Sequence, residues 1–235
     1  MESILQLDNI SKSFKERVIL NHLSLSLFPG EILGLIGKSG CGKSTLIKIL
    51  VGFHTADDGK IIFEGKDITK NFNSVRKHVG YTTQENSFYE HLTVLENMQY
   101  YASLYDLEKK KRKERIGYLL KAVDLVSSKN TLAIDLSGGM KRRLDFAISL
   151  LHKPKIVVLD EPTTGLDPLL VEKFWEIVTS IVKQEKIAVL VSSHILSEIK
   201  GNCNHVSVMA NGEIKKTIKI ESKTDVEKIF KEYAL

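Results

Sequence analysis

Gly37-Lys38-Ser39-Gly40-Cys41-Gly42-Lys43-Ser44-Thr45 decides how this chain is read. The stretch fits the phosphate-loop pattern G-x-x-x-x-G-K-[ST] without a mismatch. The apolar run Ile32-Leu33-Gly34-Leu35-Ile36 before it predicts a buried strand. Leu46-Ile47-Lys48-Ile49-Leu50-Val51 after it predicts a helix. Glycines let the backbone wrap closely and turn its N–H groups inward. A helix N-terminus adds partial positive charge at the same spot. Lys43 then supplies a full charge for the β- and γ-phosphates, Ser44 offers a hydroxyl to Mg²⁺, and Thr45 is expected at an α-phosphate. The bland alternative is a Gly-rich turn with a chance Lys-Ser, and it leaves the flanking strand and helix unexplained.

Further along, Ile156-Val157-Val158-Leu159-Asp160-Glu161 puts two carboxylates at the C-terminal end of an apolar run. Ligands of open α/β sheets bind at that edge. Asp160 is placed to hold Mg²⁺, directly or through water, and Glu161 to orient or deprotonate an attacking water. Alone, an Asp-Glu pair would be a solvated turn; beside an intact phosphate loop it reads as chemistry. Leu136-Ser137-Gly138-Gly139-Met140-Lys141-Arg142-Arg143 is the third signal. Ser137 can cap a helix starting at Gly138, and the paired glycines leave that helix end bare, a second anion site.

Two phosphate-binding helix ends with one lysine loop resemble the ATPase domain of ABC transporters, whose signature is Leu-Ser-Gly-Gly-Gln. The resemblance covers nearly the whole chain, with several motifs in the family's order. It implies a phosphate-loop (RecA-like) α/β core with an antiparallel β subdomain and an inserted helical subdomain. It also implies that two such chains pair head to tail around ATP. Ser137, Gly138 and Gly139 would then grip the γ-phosphate of ATP held by the partner. Gln84 matches the family's Q-loop glutamine, at Mg²⁺ and the attacking water, and His194 its switch histidine on the γ-phosphate. By themselves these two would be a loop residue and a helix-start residue. Asp167, in Gly165-Leu166-Asp167, matches the D-loop across the dimer interface and is also a candidate helix N-cap. Phe14 matches the adenine-stacking aromatic and Val18 the apolar residue beside it; the plain alternative for Phe14 is a place in the core. Met140 departs from the signature glutamine, which leaves the Ser-Gly-Gly grip untouched. Met-Lys-Arg-Arg-Leu after the glycines resembles the exporter-type branch that moves drugs, lipids or polysaccharides, and the short C-terminus points the same way.

The rest of the chain fits this frame. Residues 4–28 predict two strands around a polar turn at Ser11-Lys12-Ser13, and Lys60–Glu64 another strand. A strand from Val79 to Thr83 ends at Gln84. From about 90 to 151 the pattern is helical: Thr93-Val94-Leu95-Glu96 has capping-box spacing, and three amphipathic faces follow. Strands at 156–159 and 187–191 flank a helix at about 169–183. Asn211-Gly212 between apolar runs predicts a hairpin, and Thr224–Tyr233 a surface helix. The expected division is an α/β core at about 1–89 and 152–220, the helical subdomain at about 90–151 and a short C-terminal helix at 221–235.

Composition sets the class. Hydrophobic residues are 43% and charged residues 27% of the 235, ordinary for a globular protein, and the net charge of +5 does not demand a nucleic-acid partner. Cys41 and Cys203 cannot form a disulfide framework, which fits a reducing cytosol. No apolar run approaches the ~20 residues of a membrane span, and the N-terminus lacks a signal-peptide pattern. The expected location is the cytoplasm, on the inner face of the membrane through a transmembrane permease. The basic run Lys109-Lys110-Lys111-Arg112-Lys113 reads as a solvated helix face, with anionic headgroups as the sharper alternative. No aromatic residues interleave it, against a nucleic-acid platform. The competing readings are a non-transport ABC ATPase acting on DNA or ribosomes, and an inactive nucleotide-gated adaptor. The long coiled-coil insertion or tandem ATPase domains of the first are missing from this sequence; intact Lys43, Asp160, Glu161 and His194 speak against the second.

Overall fold

The computed structural model describes residues 2–71, 76–105 and 108–234; Asp106 and Leu107, inside the segment read as helical, lie outside them. Among the described residues the strands make two sheets. β1 (Leu5–Phe14), β2 (Arg17–Leu27), β4 (Asp58–Phe63) and β5 (Lys66–Asp67) form an antiparallel sheet in the order β2-β1-β4-β5. β3 (Ile32–Ile36), β6 (Val79–Thr82), β7 (Ile156–Asp160), β8 (Ala188–Ser192), β9 (His205–Ala210) and β10 (Glu213–Lys219) form the second sheet, in the order β10-β9-β3-β8-β7-β6. It is parallel except for β10, which returns through the Asn211-Gly212 hairpin.

The continuous apolar runs are explained by cover on both faces. Leu33, Leu35, Val158 and Leu190 pack toward the antiparallel sheet and α1 (Lys43–Leu50). Their neighbours Ile36, Val157, Leu159, Val189 and Val191 pack toward the helices on the other side. Successive strand side chains point to opposite faces, so a strand buried twice must be apolar throughout. Each such side chain contributes about 1.5–3 kcal/mol.

The expected turn at Ser11-Lys12-Ser13 is not there. β1 continues through it with register shifts against β2, and the chain reverses at Lys15, whose φ is 54°. Asp57 holds the strand in line: it takes the Lys12 Nζ at 2.6 Å and the Ser13 N–H at 2.7 Å. Polar residues on a bulged, partly exposed strand imitate a turn when their cross-chain partner is not visible.

The helical run comprises α2 (Val94–Ser103), α3 (Lys109–Ala122) and α4 (Gly138–Ser149). Thr93 and Glu96 form the predicted capping box. Met98, Ala102, Leu119, Leu120, Leu144 and Ala147 are buried on their shared faces. Lys109, Lys110, Lys111 and Lys113 are exposed, as a solvated face requires. α5 (Pro168–Glu185), α6 (Leu196–Asn202) and α7 (Val226–Ala234) complete the cover. Arg115 ties α3 to the end of α5 through Glu185, at 2.6 and 2.9 Å. No described helix is long and apolar enough to cross a membrane.

Candidate active site

The parallel register brings the C-terminal ends of β3, β6, β7 and β8 to one edge. Gly37, Ser39, Gly40, Gly42, Lys43, Ser44, Thr45, Gln84, Asp160, Glu161 and His194 therefore line a single cleft of about 570 Å³, with Arg17, Ile19 and Ser192. Lys38 and Cys41 complete the loop behind them.

The loop is shaped by its surroundings. Gly42 sits at φ 112° and heads α1 with no side-chain cap, so the first N–H groups of the helix stay open. A Cβ at Gly37 would lie 2.4 Å from the Met209 carbonyl oxygen, which rules out any larger residue. The 211–212 hairpin seats the loop from the other side: the Gly212 N–H donates to the Cys41 carbonyl at 3.1 Å. Lys43 Nζ donates to the carbonyls of Gly37 at 2.6 Å and Lys38 at 3.2 Å, and so points along the cradle.

Asp160 is held by the Ser192 hydroxyl. Burial and this same carboxylate push the Tyr81 hydroxyl up to about 12, so Tyr81 stays protonated beside it. Glu161 occupies the left-handed region at φ 49°, a conformation that costs a non-glycine residue about 1–2 kcal/mol. Two contacts impose it: its N–H donates to the Ser192 carbonyl at 3.1 Å, and Arg142 donates to its carbonyl at 2.8 Å. Such strain is held at functional turns. The Glu161 carboxylate accepts from Thr164 Oγ1 at 3.1 Å and lies 2.6 Å from His194 Nδ1. A carboxylate oriented by an imidazole at the mouth of a phosphate cradle can accept a proton from water.

Ser137, Gly138, Gly139 and Asp167 do not line this cleft. Ser137 caps α4 by accepting from the Met140 N–H at 3.4 Å. Gly138 is exposed, and an added Cβ would make only an ordinary contact with Leu166 Cδ2 at 3.6 Å. Asp167 stands at the N-cap position of α5, yet its side chain makes no capping bond there. Phe14 and Val18 also lie outside the lining, 43% and 60% exposed, so the core alternative for Phe14 falls. The Phe14 ring meets His54 edge-on at 5.2 Å. Met140 packs partly against the core, which suits a thioether in place of an amide.

Sequence reading missed Ser192, Tyr81, Arg142 and Asp145. Asp145 had a signal: it is a lone acid between Leu144 and Phe146 on a buried helix face. Burial pushes its carboxyl up to about 6, against the pull of the Ser87 N–H and of Arg142.

A glycine cradle with Lys43 pointing along it at the end of β3, and an acidic pair at the end of β7 with β8 between the two strands, define a phosphate-loop nucleoside triphosphatase. The family model for ABC transporters matches residues 20–164. The lantibiotic transport ATP-binding protein SrtF of Streptococcus pyogenes is 34% identical over 227 residues, 97% of this chain and 96% of its own length. Nod factor export ATP-binding protein I of Cupriavidus metallidurans is 34% identical over 212 residues, 90% of this chain and 70% of its own. Among solved structures, the ADP conformation of MJ1267, an ATP-binding cassette of an ABC transporter, aligns with a TM-score of 0.86 at 28% identity, covering 98% of this chain and 96% of that one. The chain belongs to the ABC transporter family. It is an ATP-binding, ATP-hydrolysing transporter subunit rather than an ATPase acting on DNA or ribosomes.

Proposed function

We propose that this subunit closes head to tail on a second ATPase subunit around two ATP molecules, and that this closure drives export through a separate transmembrane permease. The observation that supports it is a mismatch within one chain. The cleft with Lys43, Asp160, Glu161 and His194 carries one phosphate grip, and the Ser137-capped helix end at Ser137–Gly139 lies outside it. Each grip is half of a site, and head-to-tail pairing joins the unlike halves.

Within the joined site, Lys43 and the open N–H groups of α1 hold the phosphates. The helix end at Gly138 faces the γ-phosphate from the partner. Glu161 accepts the proton of the attacking water, and His194 keeps the carboxylate turned toward it. Ser44, Asp160 and Gln84 would hold Mg²⁺. Their hydroxyl, carboxylate and amide oxygens form the hard donor set that this ion takes, and Mg²⁺ commonly needs only one or two protein ligands beside phosphates. Bound there, Mg²⁺ supplies charge neutralisation on the transferred phosphate. Charge stabilisation and positioning are the main sources of rate in such transfers. Phe14 and Val18 are the proposed adenine contacts, and Asp167 the contact across the dimer. The export direction follows the Nod factor export relative and the Met-Lys-Arg-Arg-Leu run. Engaged with its permease near Gln84 and the helices of residues 90–125, the subunit works at the cytoplasmic face of the membrane.

Glu161→Gln tests the pairing, because it keeps the shape of the carboxylate and removes its basicity. With saturating Mg-ATP, light scattering should read twice the mass of the single chain, and with ADP the single mass. A variant that stays single with ATP, alone and with its co-purified permease, overturns the proposal.

A further inference from the structure

Arg142 is buried, on the first turns of α4, and it reaches away from its own helix. Its Nη1 donates to the Thr83 carbonyl at 2.7 Å and its Nη2 to the Glu161 carbonyl at 2.8 Å, while its Nε meets the Pro162 carbonyl. One turn on, buried Asp145 lies 3.7 Å from the same guanidinium and accepts the Ser87 N–H at 3.1 Å. The Tyr101 hydroxyl bonds the Ser87 carbonyl beside it. The segment 83–87, which carries Gln84, is therefore fastened to α4 at both ends, and the turn that carries Glu161 is fastened to the same side chain.

We propose that Arg142, seated against Asp145, is a positioning residue that locks the backbone of Gln84 and Glu161 to the helix bearing Ser137–Gly139. The alignment of this chain's own cleft then follows the position of α4. In the dimer reading above, on which this last step rests, α4 touches the nucleotide held by the partner. Engagement of the partner's ATP at Gly138 is thus transmitted to this chain's own Glu161 through one side chain.

The chemistry requires arginine. A planar guanidinium offers five N–H donors in a fixed fork, and here the fork is spread over carbonyls of two separate segments. A lysine ammonium is a compact point donor and cannot span them. Burying a guanidinium is costly even when it is paired, so the contact is a poor device for stability alone. The carbonyls it holds belong to Thr83, next to Gln84, and to Glu161 itself. A small shift of either segment acts directly on groups that must lie within hydrogen-bond reach of the water.

Mixed dimers separate positioning from general structure. One chain carries Glu161→Gln, so a single cleft turns over. Arg142→Gln is placed either in the chain that owns the live cleft or in the chain that lends its Ser137–Gly139 to it. The first arrangement should lower kcat by about 10- to 100-fold, as misplacement near an ångström does, with KM within about twofold. The second should stay within about threefold of the unmodified mixed dimer. Equal losses, a larger loss in the second arrangement, or no loss in either overturn the proposal. Arg142→Lys, which keeps the charge against Asp145, should recover the fold and only part of kcat. If Glu161→Gln alone keeps turnover or never pairs, the dimer reading has failed, and the lock is still judged on the single chain. There, Arg142→Gln should speed amide exchange at least tenfold over 83–87 and at Glu161 while α1 is unchanged. Uniform acceleration, or none, rejects it.

Discussion

Gly138→Asp separates folding from function most sharply, because the same charge acts with opposite sign on each. In the single chain, position 138 is the first residue of a helix whose Ser137 cap stays in place, and an added Cβ meets nothing closer than 3.6 Å. A carboxylate there faces the positive end of the helix and is stabilising by about 0.3–1 kcal/mol. Replacing glycine by aspartate, itself a poor helix former, adds only about 0.3 kcal/mol more. The melting temperature should therefore hold or rise by a few degrees. In the proposed closed dimer the carboxylate would share the phosphate site, and for scale two unit charges are taken about 5 Å apart. At an effective dielectric constant near 20 that repulsion is about 3 kcal/mol per unit charge, about 200-fold. Phosphate release at saturating Mg-ATP should fall by that factor, while a fluorescent ATP analogue binds the single chain as tightly as before. Gly138→Asn, of the same shape without the charge, should lose at most about tenfold. Equal losses for Asp and Asn would refute the charge argument, and turnover within twofold of normal for Asp would remove this segment from the phosphate site.

Three further outcomes are expected. Lys43→Ala removes the ammonium that points along the cradle, so nucleotide affinity or turnover should collapse in a titration and phosphate-release assay; unchanged hydrolysis would reject the phosphate-loop assignment. Cys41 is partly exposed in the loop with its sulfur 4.0 Å from Lys43 Nζ, so maleimide labelling should block turnover and saturating ATP should slow the labelling; labelling that leaves turnover intact would count against the loop geometry. Burial pushes His152 from its ordinary 6.5 down to about 4. It stays neutral in the fold while the unfolded chain takes a proton, so the stability it contributes is present above about 6.5 and lost as pH falls through 4. Asp145, raised to about 6, acts oppositely, favouring the fold below its ordinary range and losing that contribution as pH rises through 6. Unfolding profiles of His152→Gln against the parent should isolate the first effect as a gap that changes across that window; parallel profiles would contradict it.

Local sequence was enough for anything that depends on contiguous residues. The cradle at 37–45, the twice-buried strands, the capping box at Thr93 and the hairpin at Asn211-Gly212 each rest on spacing and on glycine or apolar placement, physics that acts within about ten residues. Where the chain must meet a distant partner, sequence was silent or misleading. Ser11-Lys12-Ser13 looked like a turn because Asp57, which holds it as strand, is far along the chain. Ser192 and Tyr81 reach Asp160 only once β6, β7 and β8 lie side by side. Arg142 looks like one more basic residue in Lys141-Arg142-Arg143, and only the packing of α4 against β6 puts its guanidinium on the carbonyls of Thr83 and Glu161. The motifs determined which chemistry the chain carries. The tertiary structure decided that the loop at 37–45 and the helix end at Ser137–Gly139 stand apart, because only the first lies at the edge built by the parallel register of the strands, which no run of neighbouring residues encodes.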